Sequence, residues 1–291
     1  MQQSRGRSIG LISASIVLGA LLAFGGSQHG AALGGFPLFA LAVLLAFAVQ
    51  WIAFIPAALG RTDRYFDATG SLTYIVVTAL LLLLAPGTGT RGIVLGVMVI
   101  VWALRLGSFL LVRNIRSGGD DRFADIIGDP VRFLSVWSIQ GLWVSLTAAA
   151  AWIAITSGVG ASADGMLWAG LVIWAVGFTI EVVADLQKSR FKRDPVNEGR
   201  FIRSGLWSVV RHPNYLGEIL LWIGVLVAAA PALRGWQWIA LLSPLFVILL
   251  LTRVSGIPLL EAKAERKWGD DPEYRAYVDR TPRLIPFARR R

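Results

Sequence analysis

Two short sets of polar residues carry most of the chemistry this sequence can offer. Glu181, Asp185 and Lys188 recur at i, i+4 and i+7, so a helix would place them on one face. Arg211, Asn214 and Glu218 follow at i, i+3 and i+7, where an apolar run begins. The start of a helix is the end that favours anionic groups. Between the two sets, Gln187 to Ser204 holds Lys188, Arg190, Lys192, Arg193, Arg200 and Arg203. A basic loop leading to a helix N-terminus suits a polyphosphate ligand. It equally suits anionic lipid, worth about 1 kcal/mol per basic residue near the surface. Composition leaves both readings open.

Several other chemistries are excluded. Without cysteine there is no disulfide framework, thiolate zinc site, cysteine-held iron–sulfur cluster or thiol nucleophile. The two histidines, His29 and His212, are far apart, which argues against histidine-rich di-iron chemistry and bis-histidine haem ligation. Neither a P-loop nor a G-x-G-x-x-G following a soluble strand is present.

The elements that must position these groups are membrane helices. Hydrophobic residues make up 55% of the 291-residue chain and charged residues 16%, against about 25% charged in soluble domains. No Asp, Glu, Lys or Arg occurs from Ser8 to Gly60 or from Phe133 to Ala163, and about 20 apolar residues suffice to cross a bilayer. Eight apolar segments are predicted: Ile9–Phe24, Phe36–Leu59, Leu72–Pro86, Gly92–Val112, Phe133–Ser157, Met166–Asp185, Tyr215–Ala230 and Trp236–Thr252. The runs are continuously apolar rather than alternating, so the expected fold is an all-α polytopic bundle and not a barrel.

Basic residues orient it. With the N-terminus inside, 25 of the 28 Lys and Arg fall on inner segments, Arg91 and Arg234 fall outside, and Arg105 lies within a span. Both termini are therefore expected in the cytoplasm. The net charge of +10 then reads as an orientation signal rather than a nucleic-acid footprint, and the Arg289–Arg291 tail as a lipid-headgroup contact. Arg5 and Arg7 ahead of an apolar run also fit a signal peptide, whose removal would leave seven spans. The reading adopted retains the first helix. Arg105, Glu181, Asp185, Glu218 and Arg253 lie in or border spans in the inner half. They are expected to pair around one inward-facing polar cavity.

Resemblance narrows the chemistry. Gly205-Leu-Trp-Ser-Val-Val-Arg-His-Pro-Asn-Tyr-Leu-Gly-Glu218 resembles a signature of the steroid 5-alpha-reductase and sterol-reductase families. It is also similar to the isoprenylcysteine carboxyl methyltransferases, which carry a related Arg-His-Pro-x-Tyr. The run from Glu261 through Lys267-Trp-Gly, Tyr274 and Tyr277 to Pro282-Arg-Leu-Ile-Pro286 fits both groups. Glu181-Val-Val-Ala-Asp185-Leu-Gln187, Phe191 and Gly199-Arg200-Phe201 resemble the bacterial DUF1295 family, on the reductase side of the superfamily. Asp67-x-x-Gly70, Trp102-x-x-Arg105-Leu, Arg113-Asn114 and Asp121-Arg122-Phe123 extend the likeness, which covers roughly Ile52 to Phe287.

The resemblance implies an NADPH site built by the C-terminal helices and inner loops. Asp185, Asn214 and Glu218 fall on cofactor-contacting positions, Lys192 on a basic one, and Glu261 and Tyr274 on the acidic and aromatic positions of the C-terminal motif. Arg211, Tyr215 and Arg253 complete the candidate cofactor set. Steroid 5-alpha-reductases also use an early Glu and a following Tyr to hold and protonate the substrate. Here the second span has no acid and only Gln50 as a polar side chain near its inner half, and Trp102 takes the Tyr position. An indole cannot serve as that proton donor. Asp67, Tyr65 and Tyr74, near the start of the third span, are the catalytic candidates by chemistry rather than by alignment.

The implied activity is NADPH-dependent reduction of a carbon–carbon double bond in a steroid-, sterol- or isoprenoid-like substrate drawn from the bilayer. The implied setting is the bacterial inner membrane, with membrane lipids as the other contacts. The alternative is an S-adenosylmethionine-dependent methyltransferase of the isoprenylcysteine type. Its sulfonium cofactor has no phosphate to match six basic residues, and Leu260-Glu261 offers one acid where that family has two. A transporter would show paired repeats and midplane polar breaks, and the sequence has no internal repeat. Residues 1–60 read as N-terminal helices, and 61–291 as the reductase-like domain with its cofactor half at 177–291.

Overall fold

The computed structural model describes residues 2–117, 123, 125–158 and 163–286. The side chains of Arg113 and Asn114, all of Asp121 and Arg122, and the Arg289–Arg291 tail lie outside that description. The described chain is helical: α1 Gln2–Gly26, α2 Leu38–Leu59, α3 Phe66–Leu84, α4 Thr90–Ser117 and α5 Pro130–Thr156 are followed by α6 Gly165–Arg193, α7 Pro213–Ala229, α8 Leu242–Leu249, α9 Ile257–Trp268 and α10 Pro272–Arg280. One pair of two-residue strands, Ala32–Leu33 and Phe36–Pro37, joins α1 to α2. Eight stretches are long and apolar enough to cross a membrane. The protein is an all-α, multi-pass integral membrane protein.

Two segments differ from the sequence expectation. The sixth span was expected to end at Asp185, yet α6 runs two turns further to Arg193. Arg190, Lys192 and Arg193 sit in its last turn, where cations suit the helix dipole. Asp194 then accepts from Val196 N, and Pro195 starts a new 3-10 turn. The first part of the supposed basic loop, Gln187 to Arg193, is therefore helix. The eighth span is not one regular helix: a 3-10 run Gly235–Leu241 leads into α8, and a wide π-turn Leu250–Val254 ends it. Pro244, which lacks an N–H, falls near this change of winding. At the far end Gly256 meets Leu251 so closely that a Cβ would lie 2.4 Å from its carbonyl oxygen.

The chain divides into two compact units. The first comprises Met1–Leu167 and Leu226–Ser243. Its centre is α5, 78% of whose apolar window is buried against 28% for α1. Alanines 148–151 are fully buried, and small side chains let α1, α2, α3 and α4 pack directly on this helix. Neutral hydrogen bonds tie it in: Trp152 Nε1 to Thr78 Oγ1 at 2.8 Å, Trp51 Nε1 to Ser138 Oγ at 3.1 Å and Gln140 Nε2 to Phe66 O at 3.1 Å. An aromatic cluster of Phe66, Phe123, Phe133 and Trp137 fills one end of the unit. Elsewhere Arg91, 2% exposed, binds Asp164 at 2.7 Å and donates to Ala228 O.

The second unit comprises Trp168–Val225 and Pro244–Arg291. Here α6 and α7 meet backbone to backbone. A Cβ on Gly177 would lie 2.5 Å from Leu221 N and 2.6 Å from Gly217 O, and one on Gly217 would meet Glu181 N at 2.6 Å. Gly224 repeats the contact against Trp174 N and Gly170 O. Glycine at these positions is a steric requirement for the close approach.

Candidate functional site

The close α6–α7 crossing sets where the polar faces end up. Glu181 and Asp185 are buried at 3% and 9% exposure, and the Gly217 backbone comes against Glu181. One turn on, the ammonium of Lys188 lies 4.7 Å from the centre of the Trp207 ring. Trp207 is fixed from two sides: its indole donates to Ala184 O at 3.1 Å, and its carbonyl accepts from the Tyr277 hydroxyl at 2.7 Å. Gln187 accepts from Leu206 N at 3.0 Å, and Gly205 beside it has φ of +61°. The segment between α6 and α7 is thus pinned to α6 through Ala184 and Gln187.

The C-terminal helices hold the same segment from the other side. Phe201 packs on Trp268, Tyr274 and Tyr277, with ring centroids 5.9, 5.2 and 5.5 Å away. Trp268 donates to Gly199 O at 2.6 Å, and Arg203 pairs with Glu273 at 2.9 Å. Backbone amides of Arg211 and His212 donate to Pro282 O and Arg283 O at 2.9 and 3.1 Å. The Arg-His-Pro signature is therefore hydrogen-bonded, backbone to backbone, to the end of the C-terminal motif.

Glu261 is the electrostatic hub. α9 carries five charged residues in twelve, so it forms the polar end of the eighth stretch, Gly235–Trp268, beyond the apolar run expected to end at Thr252. The Glu261 carboxylate receives Arg211 Nη2 at 2.9 Å, Arg283 Nε at 2.9 Å and His212 Nε2 at 3.3 Å. Burial pushes its pKa up, but the His212 hydrogen bond and the two guanidiniums outweigh this and hold it below the usual carboxylate value. His212 is also held below its usual value, because burial and the neighbouring cations Lys188 and Arg211 outweigh Glu261. Burial raises the Tyr274 and Tyr277 hydroxyls. The neutral His212 ring stacks on Tyr215, 5.8 Å away and inclined by 14°.

Two atoms stand out at the start of α7. His212 Nδ1 and Asn214 Oδ1 are buried and have no hydrogen-bond partner. A buried polar atom without a partner costs about 1–3 kcal/mol, so a pair of them flanking Pro213, the first residue of α7, makes this a candidate place for a polar ligand.

Asp185, Arg211, Asn214, Tyr215, Glu218, Glu261 and Tyr274 all belong to this unit, with Arg211, Glu261, His212 and Arg283 in direct contact. Lys192 lies exposed on α6, and Arg253 lies exposed in the π-turn. The catalytic candidates belong to the first unit. Tyr65 is 57% exposed, with the Arg64 guanidinium 5.8 Å from its ring. Asp67 is half-buried in the first turn of α3. Tyr74, 5% exposed, meets Trp102 edge-on at 5.2 Å. Gln50, fully buried, donates to Thr73 Oγ1 at 2.8 Å while its Oε1 has no partner. Sequence reasoning passed over Trp207, His212 and Arg283 as site residues. His212 had a signal, as the one histidine inside the signature; Arg283 had none, because its role depends on a fold-back.

The chain belongs to the DUF1295 family, a "protein of unknown function" family whose sequence model matches residues 53–281. Three curated relatives are similar over parts of it. A probable O-methyltransferase, ustE, of Ustilaginoidea virens is 36% identical over 73 residues, 25% of this chain and 26% of that protein. Steroid 5-alpha-reductase DET2 of Gossypium hirsutum is 31% identical over 119 residues, 41% of each chain. An uncharacterised protein of Schizosaccharomyces pombe is 29% identical over 168 residues, 50% of this chain and 46% of that one. The chain thus spans a quarter to a half of the length of these relatives. No solved structure matches it.

Proposed function

We propose that the protein is an NADPH-dependent membrane reductase of a carbon–carbon double bond in a lipophilic steroid-, sterol- or isoprenoid-like substrate. The observation that carries this reading is the pair of unsatisfied buried atoms, His212 Nδ1 and Asn214 Oδ1, beside a cation-rich turn. The reductase relative supports the reaction class. The residues fit a dinucleotide phosphate in kind: Lys188 and Arg211 are cations on the same unit, with exposed Arg190, Lys192 and Arg200 nearby in sequence. Phosphate recognition by such groups is charge-assisted. Asp185, Glu218 and Asn214 offer acceptors for ribose hydroxyls or a carboxamide, and Glu261 and Tyr274 support Arg211 and the C-terminal wall.

When bound, NADPH supplies hydride to one alkene carbon, and a proton is needed at its neighbour. Of the three donor candidates, all on the first unit, Tyr74 has the buried hydroxyl, whereas Tyr65 is exposed and Asp67 is only half-buried. A hydroxyl that served here would give up its proton and regain one from water. With both termini inside, these groups would take cofactor from the cytoplasm and substrate from the lipid.

The methyltransferase reading keeps one specific support, the probable O-methyltransferase relative. Titration of detergent-purified protein with NADPH, NADH and S-adenosylmethionine separates the two. Saturable NADPH binding that weakens at least tenfold in Asn214→Ala is expected. Saturable S-adenosylmethionine binding with none for NADPH would replace this reading with the methyltransferase one.

A further inference from the structure

A cavity of about 610 Å³ opens at one end of the first unit, lined by Arg7, Ser8 and Leu11 of α1, by Ile126, and by Arg132, Ser135 and Val136 of α5. It shares no residue with the proposed reductase machinery. We propose that it binds the headgroup of an anionic phospholipid, with the acyl chain running along Leu11 and Val136.

The lining is amphiphilic in the way such a lipid is. Arg7 and Arg132 bring two guanidiniums from two different helices, and among the described residues no acid lines the cavity. The nearby acids are engaged or peripheral. Asp129 accepts from Val131 N and Arg132 N at the start of α5 and pairs with Arg5 at 3.7 Å. Asp125 lies exposed and offers its carbonyl to Arg132 Nη1 at 3.0 Å. Arg132 thereby keeps other N–H groups for a ligand, and Arg7 has no ion pair among the described residues. Planar guanidinium forks match phosphate oxygens in pairs.

The floor is buried hydroxyl: Ser8 and Ser135 are 6% and 4% exposed, and Ser135 Oγ donates to Arg132 O at 2.7 Å, orienting that residue's backbone. The wall is Leu11, Ile126 and Val136. A soluble phosphate has no use for an apolar wall, whereas a phosphodiester carrying a diacylglycerol does. Depth agrees. The cavity spans the first two turns of the apolar stretches Arg5–Gly26 and Pro130–Thr156, of 22 and 27 residues, which is headgroup level for helices that cross about 30 Å of hydrocarbon. A volume of this size lies within the usual range for ligand pockets.

Native mass spectrometry of the detergent-purified protein, titrated with dioleoyl phosphatidylglycerol, dioleoyl phosphatidylcholine and glycerol phosphate, tests the assignment. At least fivefold tighter binding of phosphatidylglycerol than of phosphatidylcholine is expected, with glycerol phosphate failing to displace it at comparable concentration. Arg7→Gln and Val136→Trp should each remove most of that preference, and Arg61→Gln, the loss of an exposed arginine elsewhere in the unit, should not. Arg132→Gln is a further check, and Val136→Trp keeps the test alive if that variant does not fold. Equal binding of both lipids, an equal loss in Arg61→Gln, or displacement by glycerol phosphate would overturn the proposal. None of these outcomes bears on NADPH binding.

Discussion

The two units bury polar side chains by different means. In the first, the bonds that tie α2, α3 and α5 together are neutral: Gln50 with Thr73, Trp152 with Thr78, Trp51 with Ser138 and Gln140 with a carbonyl of α3, the Arg91–Asp164 pair being an ionic exception. In the second, charges gather on Glu261, whose carboxylate meets the guanidiniums of Arg211 and Arg283 and the neutral His212 ring. Neutral pairs hold helices together within hydrocarbon at small individual gain. A cluster of full charges is costly to desolvate and is tolerated where every member is matched. The first set of contacts is what a scaffold needs, and the second is in keeping with the ligand site proposed above.

The largest expected effect breaks the frame that carries the ionic cluster. Gly177→Val would force apart α6 and α7, which touch through backbone atoms, and should cost about 3 kcal/mol or more. Loss of monodisperse protein on size-exclusion chromatography reads this out. Next comes Glu261→Gln, which leaves Arg211 and Arg283 facing one another without their carboxylate. A cost of about 3 kcal/mol is expected, seen as a lower Tm by tryptophan fluorescence together with weaker NADPH binding. An unchanged Tm would mean that the cluster is not what holds the C-terminal motif.

Acid should act on the second unit selectively. His212 and Glu261 both have depressed pKa values, so the unfolded chain takes up protons before the folded one does. Stability is then fully present above the ordinary histidine value of about 6.5 and lost as pH falls below it, with a further loss below about 4.3 as Glu261 protonates. Tm should fall between pH 7.5 and 5, and His212→Asn should flatten that slope. The smallest effect is expected in the first unit. Gln50→Leu removes one neutral bond, because Thr73 retains its own donation to Thr69 O, and should cost about 1 kcal/mol. A loss as large as that of Glu261→Gln would abolish the distinction between the units.

The sequence announced the helices well, because the uncharged runs from Ser8 to Gly60 and Phe133 to Ala163 admit few other folds. Helical periodicity also placed Glu181 and Asp185 on the buried face of α6. The glycines of the sixth and seventh spans were readable as packing residues, and they are. What local pattern could not convey was long-range pairing. Arg283 reaches Glu261, and residues 211–212 pair with 282–283, through a fold-back that no spacing encodes. The winding of the eighth span was equally hidden, since hydropathy does not distinguish 3-10, α and π turns. Among the catalytic candidates, the sequence treated Tyr65 and Tyr74 alike; exposure of 57% against 5% separates them.

The pairing of Arg211 and His212 with Pro282 and Arg283 has a consequence in time as well as in space. The signature at the head of α7 is synthesised well before the C-terminal segment that completes it. During biogenesis α6 and α7 would enter the bilayer with those amides and the Arg211 guanidinium still exposed to water. The proposed ligand site would therefore be completed last, after membrane insertion, and a chain stopped short of Pro282 would be inserted yet unfinished.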